Sequence, residues 1–267
     1  MYLGASIAVS LFDRLEPATV AWLRVVSAAL VVIVVRRAWR RRWTRVELGW
    51  AAAFGTSLAA MNTLFYLATD RLALGSGVAV EFVGPIAVAV FGARTLRNLA
   101  AIGAAVAGIG LLSGFSTGSE RVGVALALGA GVLWAGYIVL GSRVAHGSAV
   151  DGLGIGMAIG ALVIAPVGVL DLPAAAADPR LIGACAVVGL LSNVIPYGID
   201  QLVLRRLSPS RFALLLALLP AVATGLGLLV LGQRPSPAEL VGIAAVMVAI
   251  ALRDRTGEAP PVPLAEA

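Results

Sequence analysis

The chain has 267 residues, of which 60% are hydrophobic and 13% charged, and its mean hydropathy is +0.98. It repeatedly offers apolar runs near the roughly 20 residues that span a bilayer, which predicts a polytopic membrane protein and excludes a soluble domain. The net charge of +6 could suggest nucleic acid, but every basic residue is an arginine and most lie in short clusters between apolar runs. Such clusters are typical of membrane topology signals, so we expect lipid and no nucleic acid as partner.

Cysteine and histidine each occur once, as Cys185 and His146. A single cysteine excludes an intrachain disulfide, and one cysteine with one histidine provides too few ligands for a zinc or haem site. The sequence also lacks the H-E-x-x-H motif of metalloproteases, and a serine nucleophile would have only His146, at a predicted cytoplasmic edge, as its histidine partner. We therefore expect no metal, no cofactor and no enzymatic activity.

Nine apolar runs are long enough to predict full membrane spans, and a shorter one covers residues 1–12. The shorter run predicts a truncated first helix, which indicates either a native start upstream of Met1 or a damaged transporter. The nine predicted spans are 18–35, 48–68, 73–92, 99–113, 122–140, 153–170, 181–203, 212–231 and 238–252.

Arginines are distributed unevenly between alternate loops. The loop 36–45 is the richest, and the loops on the same side of the membrane hold most of the others. Short arginine-rich loops stay in the cytoplasm, so both termini are predicted to be cytoplasmic.

A sequence repeat indicates two related halves. Asn62-x-x-x-Tyr66 recurs as Asn193-x-x-x-Tyr197 at an offset of about 131 residues. Five helices per half is an odd number, so the second half must be inverted in the membrane. The expected fold is an all-α transmembrane bundle of ten helices in two inverted five-helix repeats, with the first helix truncated. The predicted units are a first repeat at 1–116, a second repeat at 117–252 and a disordered cytoplasmic tail at 253–267.

Glu81 and Arg24 are charged residues inside predicted spans. At 1.5 Å per residue they lie about 12 and 9 Å deep, where a charge is expensive unless it meets a partner or a wet cavity. A permanent Glu81–Arg24 pair would hold helices together. Alternatively, Glu81 binds substrate and exchanges protons while the Arg24 guanidinium binds a substrate carboxylate, although Arg24 could also reach the headgroups.

Polar side chains repeat near these charges. Asn62 and Tyr66 share one helix face, as do Asn193 and Tyr197, and each pair either lines a substrate cavity or joins helices. Ser27 follows Arg24 by three residues and extends its polar face.

Asp200 lies a few residues before Arg205, near a predicted cytoplasmic end. A solvated carboxylate is the favoured interpretation, and a second proton-coupling group is the alternative. Pro85, Pro196 and Pro220 remove backbone hydrogen bonds inside predicted spans and are candidate hinges.

Four further motifs stand in order along the chain. They are LxPATVAWLRxxxAAL at 15–30, AVEFVGPIAVAV at 79–90, PYGIDQLVLRRL at 196–207 and LLLALLPAVATGLGLLVLGQ at 214–233. Together they resemble the EamA-type transporters of the drug/metabolite transporter superfamily, and within that family the nearest group is the bacterial threonine and homoserine exporters, the RhtA-like proteins.

The resemblance implies a secondary transporter of the bacterial inner membrane that exports small amino acids or related metabolites by proton antiport. Family members commonly carry a carboxylate before the second proline, where this chain has Leu219 before Pro220. Export of drugs or other small metabolites is the alternative, with a non-transporting membrane bundle or an intramembrane enzyme more remote. Whether the protein forms a homodimer is left open.

Overall fold

A computed structural model describes residues 2–90, 95–98, 100, 103–104, 106–108 and 118–252, and every regular element within them is helical. We number the α-helices in chain order. They are α1 (Tyr2–Val9), α2 (Pro17–Arg36), α3 (Arg45–Thr69), α4 (Leu74–Glu81), α5 (Val83–Val90), α6 (Gly118–Gly147), α7 (Ala149–Gly168), α8 (Leu172–Ala177), α9 (Pro179–Gly189), α10 (Ile195–Leu204), α11 (Pro209–Leu215), α12 (Leu219–Leu231) and α13 (Pro237–Leu252).

Several of these helices have the length and apolar composition of membrane spans, as the sequence predicted. Among the described residues they are α2, α3, α6, α7 and the combined segment Pro179–Leu204, and α12 is a shorter apolar helix. The predicted span 99–113 falls largely outside the described residues, and the predicted tail 253–267 falls entirely outside them.

Three spans predicted as continuous helices are interrupted. The span 73–92 divides at Phe82 between α4 and α5, a π turn at Leu190–Val194 separates α9 from α10, and a 3₁₀ turn at Leu216–Leu218 precedes α12. A proline lies in the first turn of the helix that follows each break. Proline lacks the backbone N–H and clashes with the carbonyl four residues earlier, so it weakens the helix just before it. These prolines are the candidate hinge residues, Pro85, Pro196 and Pro220.

The centre of the bundle is α3, which packs against α6 and α7, while α2 packs against α7. Glycines permit this close approach: a Cβ at Gly55 of α3 would lie 1.8 Å from the Gly156 carbonyl oxygen of α7. Ser57 Oγ donates to the Leu133 carbonyl of α6 at 2.7 Å. Small residues and a satisfied hydroxyl are what close helix packing in a membrane requires.

Polar contacts fix the two ends of the bundle. At the end that holds the 36–45 loop, called here the arginine-rich end, Arg36 pairs with Asp151 at 2.9 Å and Arg41 with Glu47 at 2.5 Å. At the opposite end Arg14 pairs with Asp178 at 3.0 Å. Helix α2 therefore runs from the opposite end to the arginine-rich end, and α6 also finishes at the latter, where Arg41 donates to the Gly147 carbonyl.

Candidate functional site

A small buried cavity lies where α1, α2, α3, α4 and α10 meet. Arg24 reaches it about 10 Å from the start of α2 at the opposite end of the bundle. The free space is about 10 Å³, close to what one water molecule needs, so a larger occupant requires the surrounding helices to move apart. The lining residues are Tyr2, Ala5, Arg24, Met61, Asn62, Phe65, Glu81, Ser192 and Tyr197.

Arg24 is 3% exposed and is held by two side chains of α3. One guanidinium amino group donates to the Tyr66 hydroxyl and the other to Asn62 Oδ1, and the guanidinium carbon lies 4.4 Å from the centre of the Tyr66 ring. Since a guanidinium has five N–H donors, each amino group keeps one that these contacts do not use. Arg24 is therefore fixed in position and still able to bind an anion.

Asn62 connects this arginine to the second half of the chain. Its Nδ2 donates to the Leu58 carbonyl at 2.7 Å, which turns Oδ1 toward Arg24, and the Tyr197 hydroxyl also donates to Oδ1 at 3.3 Å. The structure thus brings Arg24, Asn62, Tyr66 and Tyr197 into one hydrogen-bonded network.

Glu81 ends α4 and is 3% exposed. It lines the same cavity as Arg24, but none of the four ion pairs formed by the described residues includes it. The alternative of a permanent Arg24–Glu81 pair is therefore not seen in this conformation, in which the Arg24 amino groups donate to Asn62 and Tyr66 instead. A carboxylate buried without a cationic partner is costly, which is typical of a group kept for function.

Four predicted residues lie outside the cavity lining: Tyr66, which holds Arg24 from behind, and Asn193, Ser27 and Asp200. Asn193 is fully buried in the π turn, and neither side-chain atom of its amide has a hydrogen-bond partner among the described residues. Ser27 donates to the Arg24 carbonyl at 3.0 Å within α2. Gly189 of α9 faces the turn of α2 that holds Arg24 and Ser27, since a Cβ at Gly189 would lie 2.6 Å from the Arg24 carbonyl oxygen.

Asp200 lies nearer the arginine-rich end and is partly buried. It accepts a hydrogen bond of 2.9 Å from the hydroxyl of Tyr137, whose ring is fully buried and lies 5.3 Å from that of Tyr197. The favoured interpretation of a solvated carboxylate is therefore wrong, because the α6 tyrosine draws Asp200 into the bundle. Two tyrosines connect it to the cavity.

Sequence reasoning missed two polar residues of the cavity, Tyr2 and Ser192. No periodicity or repeat distinguishes Tyr2 in its short apolar run. Ser192 directly precedes the duplicated Asn-x-x-x-Tyr motif and could have been included with it. Within the described ranges, no three His, Cys, Asp or Glu side chains are placed to hold a metal ion.

Membrane-length helices around a buried cavity with opposite charges are typical of a membrane transporter. Residues 121–253 match the EamA-like transporter family. The chain belongs to this family, part of the drug/metabolite transporter superfamily, so it is a membrane-embedded transporter protein and not an enzyme.

Two similar proteins are named as threonine/homoserine exporter RhtA. The one from Escherichia coli (strain K12) is 36% identical over 251 residues, covering 92% of this chain and 84% of that protein. The one from Salmonella typhimurium (strain SL1344) is 33% identical with the same coverage. A solved crystal structure superposes with a TM-score of 0.65 over 94% of this chain and 93% of that one; at 19% identity it supports the fold alone.

Proposed function

We propose that this protein is a secondary active transporter that exports small amino acids of the threonine and homoserine type across the bacterial inner membrane in exchange for protons. The observation that carries the proposal is the placement of Arg24 and Glu81 in one buried cavity without a direct ion pair. The names of the similar exporters support the substrate class.

An amino acid is a zwitterion, and the cavity offers a group for each of its charges. The guanidinium of Arg24 can bind a carboxylate through two parallel N–H···O bonds, and Asn62 and Tyr66 hold it in place for this. The carboxylate of Glu81 can accept the substrate ammonium group. Burial makes these charges interact strongly, since little water screens them.

The same carboxylate supplies a mechanism for proton exchange. Glu81 can hold either the ammonium group of a substrate or a proton, and each excludes the other. A transporter that moves only when Glu81 is occupied then exports one substrate for each proton that enters. Asp200 is a second proton-coupling candidate, because Tyr137 and Tyr197 connect it to the cavity.

Alternating access requires the closed cavity to open to each side in turn. The proposed hinges are Pro85, Pro196 and Pro220, which follow the three helix breaks. We propose two inverted five-helix repeats, 1–116 and 117–252, with both termini in the cytoplasm. In that orientation the arginine-rich end faces the cytoplasm.

Export of drugs or other small metabolites is the second candidate. The rings of Tyr2, Phe65 and Tyr197 line the cavity and would suit a larger aromatic substrate. The contracted cavity and the charges of both signs favour a small zwitterion.

A substrate panel in proteoliposomes distinguishes the two candidates. Vesicles loaded with unlabelled threonine should accumulate labelled threonine and homoserine by counterflow, and protein-free vesicles provide the control. Transport of a lipophilic cation with no counterflow of either amino acid would contradict the proposal.

A further inference from the structure

The hydroxyl of Tyr2 is a buried polar group that the described residues leave without a partner. Tyr2 is 2% exposed, lines the cavity, and its hydroxyl oxygen makes no hydrogen bond within the described chain. A buried polar group left unsatisfied destabilises a protein, so such groups are rare unless a ligand or water completes them.

The other neutral polar groups of the cavity are already engaged. Asn62 Oδ1 accepts from Arg24 and Tyr197, and Ser192 Oγ donates to the Val188 carbonyl at 2.5 Å. Among the described residues of the lining, Tyr2 is thus the neutral polar side chain that makes no hydrogen bond and is available to a ligand.

The surroundings hold this hydroxyl in place. The ring of Tyr2 packs against the ring of Phe65 at 6.4 Å, and Ala5 and Met61 contribute apolar wall to the same cavity. Because the ring is buried, its hydroxyl has few positions available and is preorganised for one partner.

We propose that Tyr2 binds the side-chain hydroxyl of the substrate and so selects hydroxylated amino acids. The inference rests on the proposed function, with Arg24 bound to the carboxylate and Glu81 to the ammonium group. A hydroxylated side chain then completes the third polar contact, whereas an unhydroxylated one leaves the Tyr2 hydroxyl buried and unpaired. Sites built to bond a substrate hydroxyl discriminate against analogues that lack it.

The test uses 2-aminobutyrate, which is both threonine and homoserine without the hydroxyl. Proteoliposomes carrying wild type or Tyr2→Phe take up labelled threonine in competition with unlabelled threonine, homoserine or 2-aminobutyrate. Phenylalanine keeps the ring and its contact with Phe65 while removing the hydroxyl.

We expect wild type to prefer both hydroxylated amino acids over 2-aminobutyrate by about three- to tenfold, the range for one neutral hydrogen bond. Tyr2→Phe should lose this preference and keep its affinity for 2-aminobutyrate. The control is Ser6→Ala, which removes a buried α1 hydroxyl that already donates to the Tyr2 carbonyl at 2.9 Å, and it should keep the preference.

An unchanged preference in Tyr2→Phe overturns the inference. This holds even if the variant alters the dependence of transport on pH, because Tyr2 would then act on Glu81 and not on the substrate hydroxyl. If Tyr2→Phe does not insert into the membrane, Tyr2→Leu allows the same preference for hydroxylated amino acids over 2-aminobutyrate to be measured. Failure of wild type to transport threonine or homoserine overturns the proposed function itself and is a distinct result.

Discussion

Replacing Arg24 with lysine removes the guanidinium fork and keeps the positive charge. Two side chains currently hold the fork, Asn62 through one amino group and Tyr66 through the other. A lysine ammonium group is a point charge on a flexible stem, and it cannot present two parallel donors to a carboxylate. We therefore expect weaker substrate binding without loss of the local charge.

The expected size of the effect follows from the contact that is lost. A hydrogen bond to a charged group contributes about 1.5–3 kcal/mol. Since 1.4 kcal/mol corresponds to a factor of ten, losing one of the two bonds to the carboxylate should raise the half-saturating threonine concentration about ten- to hundredfold.

The assay is the concentration dependence of threonine counterflow in proteoliposomes. The matched control is Arg36→Lys, at the end of the same helix, where the arginine side chain is 54% exposed and pairs with Asp151. Exposed ion pairs contribute little, so this variant should transport almost normally. An Arg24→Lys variant with wild-type half-saturation would refute the assignment of Arg24 to the substrate carboxylate.

Two glycine substitutions test the packing that places the site. Gly55→Ala forces a methyl group against the Gly156 carbonyl and should lower the free energy of unfolding in detergent by about 1–3 kcal/mol or more. The control Gly49→Ala, on the same helix, meets no atom within 4 Å and should not destabilise the protein. Equal melting temperatures for the two variants would contradict this prediction. Gly189→Ala should displace the α2 backbone at Arg24 and reduce threonine transport severalfold. The control Gly183→Ala, on the same helix with open space around it, should transport threonine normally. Normal transport by Gly189→Ala would show that α9 does not position Arg24.

The long helices were predictable because their apolar runs carry the signal directly. Helices α2, α3 and α7 lie close to the predicted spans, and α6 extends beyond its predicted span at both ends. The breaks at Phe82 and in the π turn were not predicted. Proline indicates where a helix is weakened, but neighbouring helices decide whether it bends, unwinds or changes register.

The sequence identified the charged and amide groups of the cavity, Arg24, Glu81 and Asn62, because polar residues in apolar spans are rare. It did not predict which of these side chains contact one another. Arg24 and Glu81 have similar depths, but depth does not specify rotation about the helix axis, and Asn62 and Tyr66 reach the guanidinium instead. The repeat predicted equivalent roles for Asn62 and Asn193, whereas only Asn62 lines the cavity.

The central claim is that Glu81 couples proton entry to amino-acid export, and the direct measurement is threonine transport driven by an imposed pH gradient in Glu81→Gln proteoliposomes. Glutamine has almost the same shape but cannot bind and release the coupling proton. We expect Glu81→Gln to show no gradient-driven transport above the level without a gradient. Glu16→Gln, at an exposed position before α2, should respond to the gradient like wild type. Normal gradient-driven transport by Glu81→Gln would contradict the account.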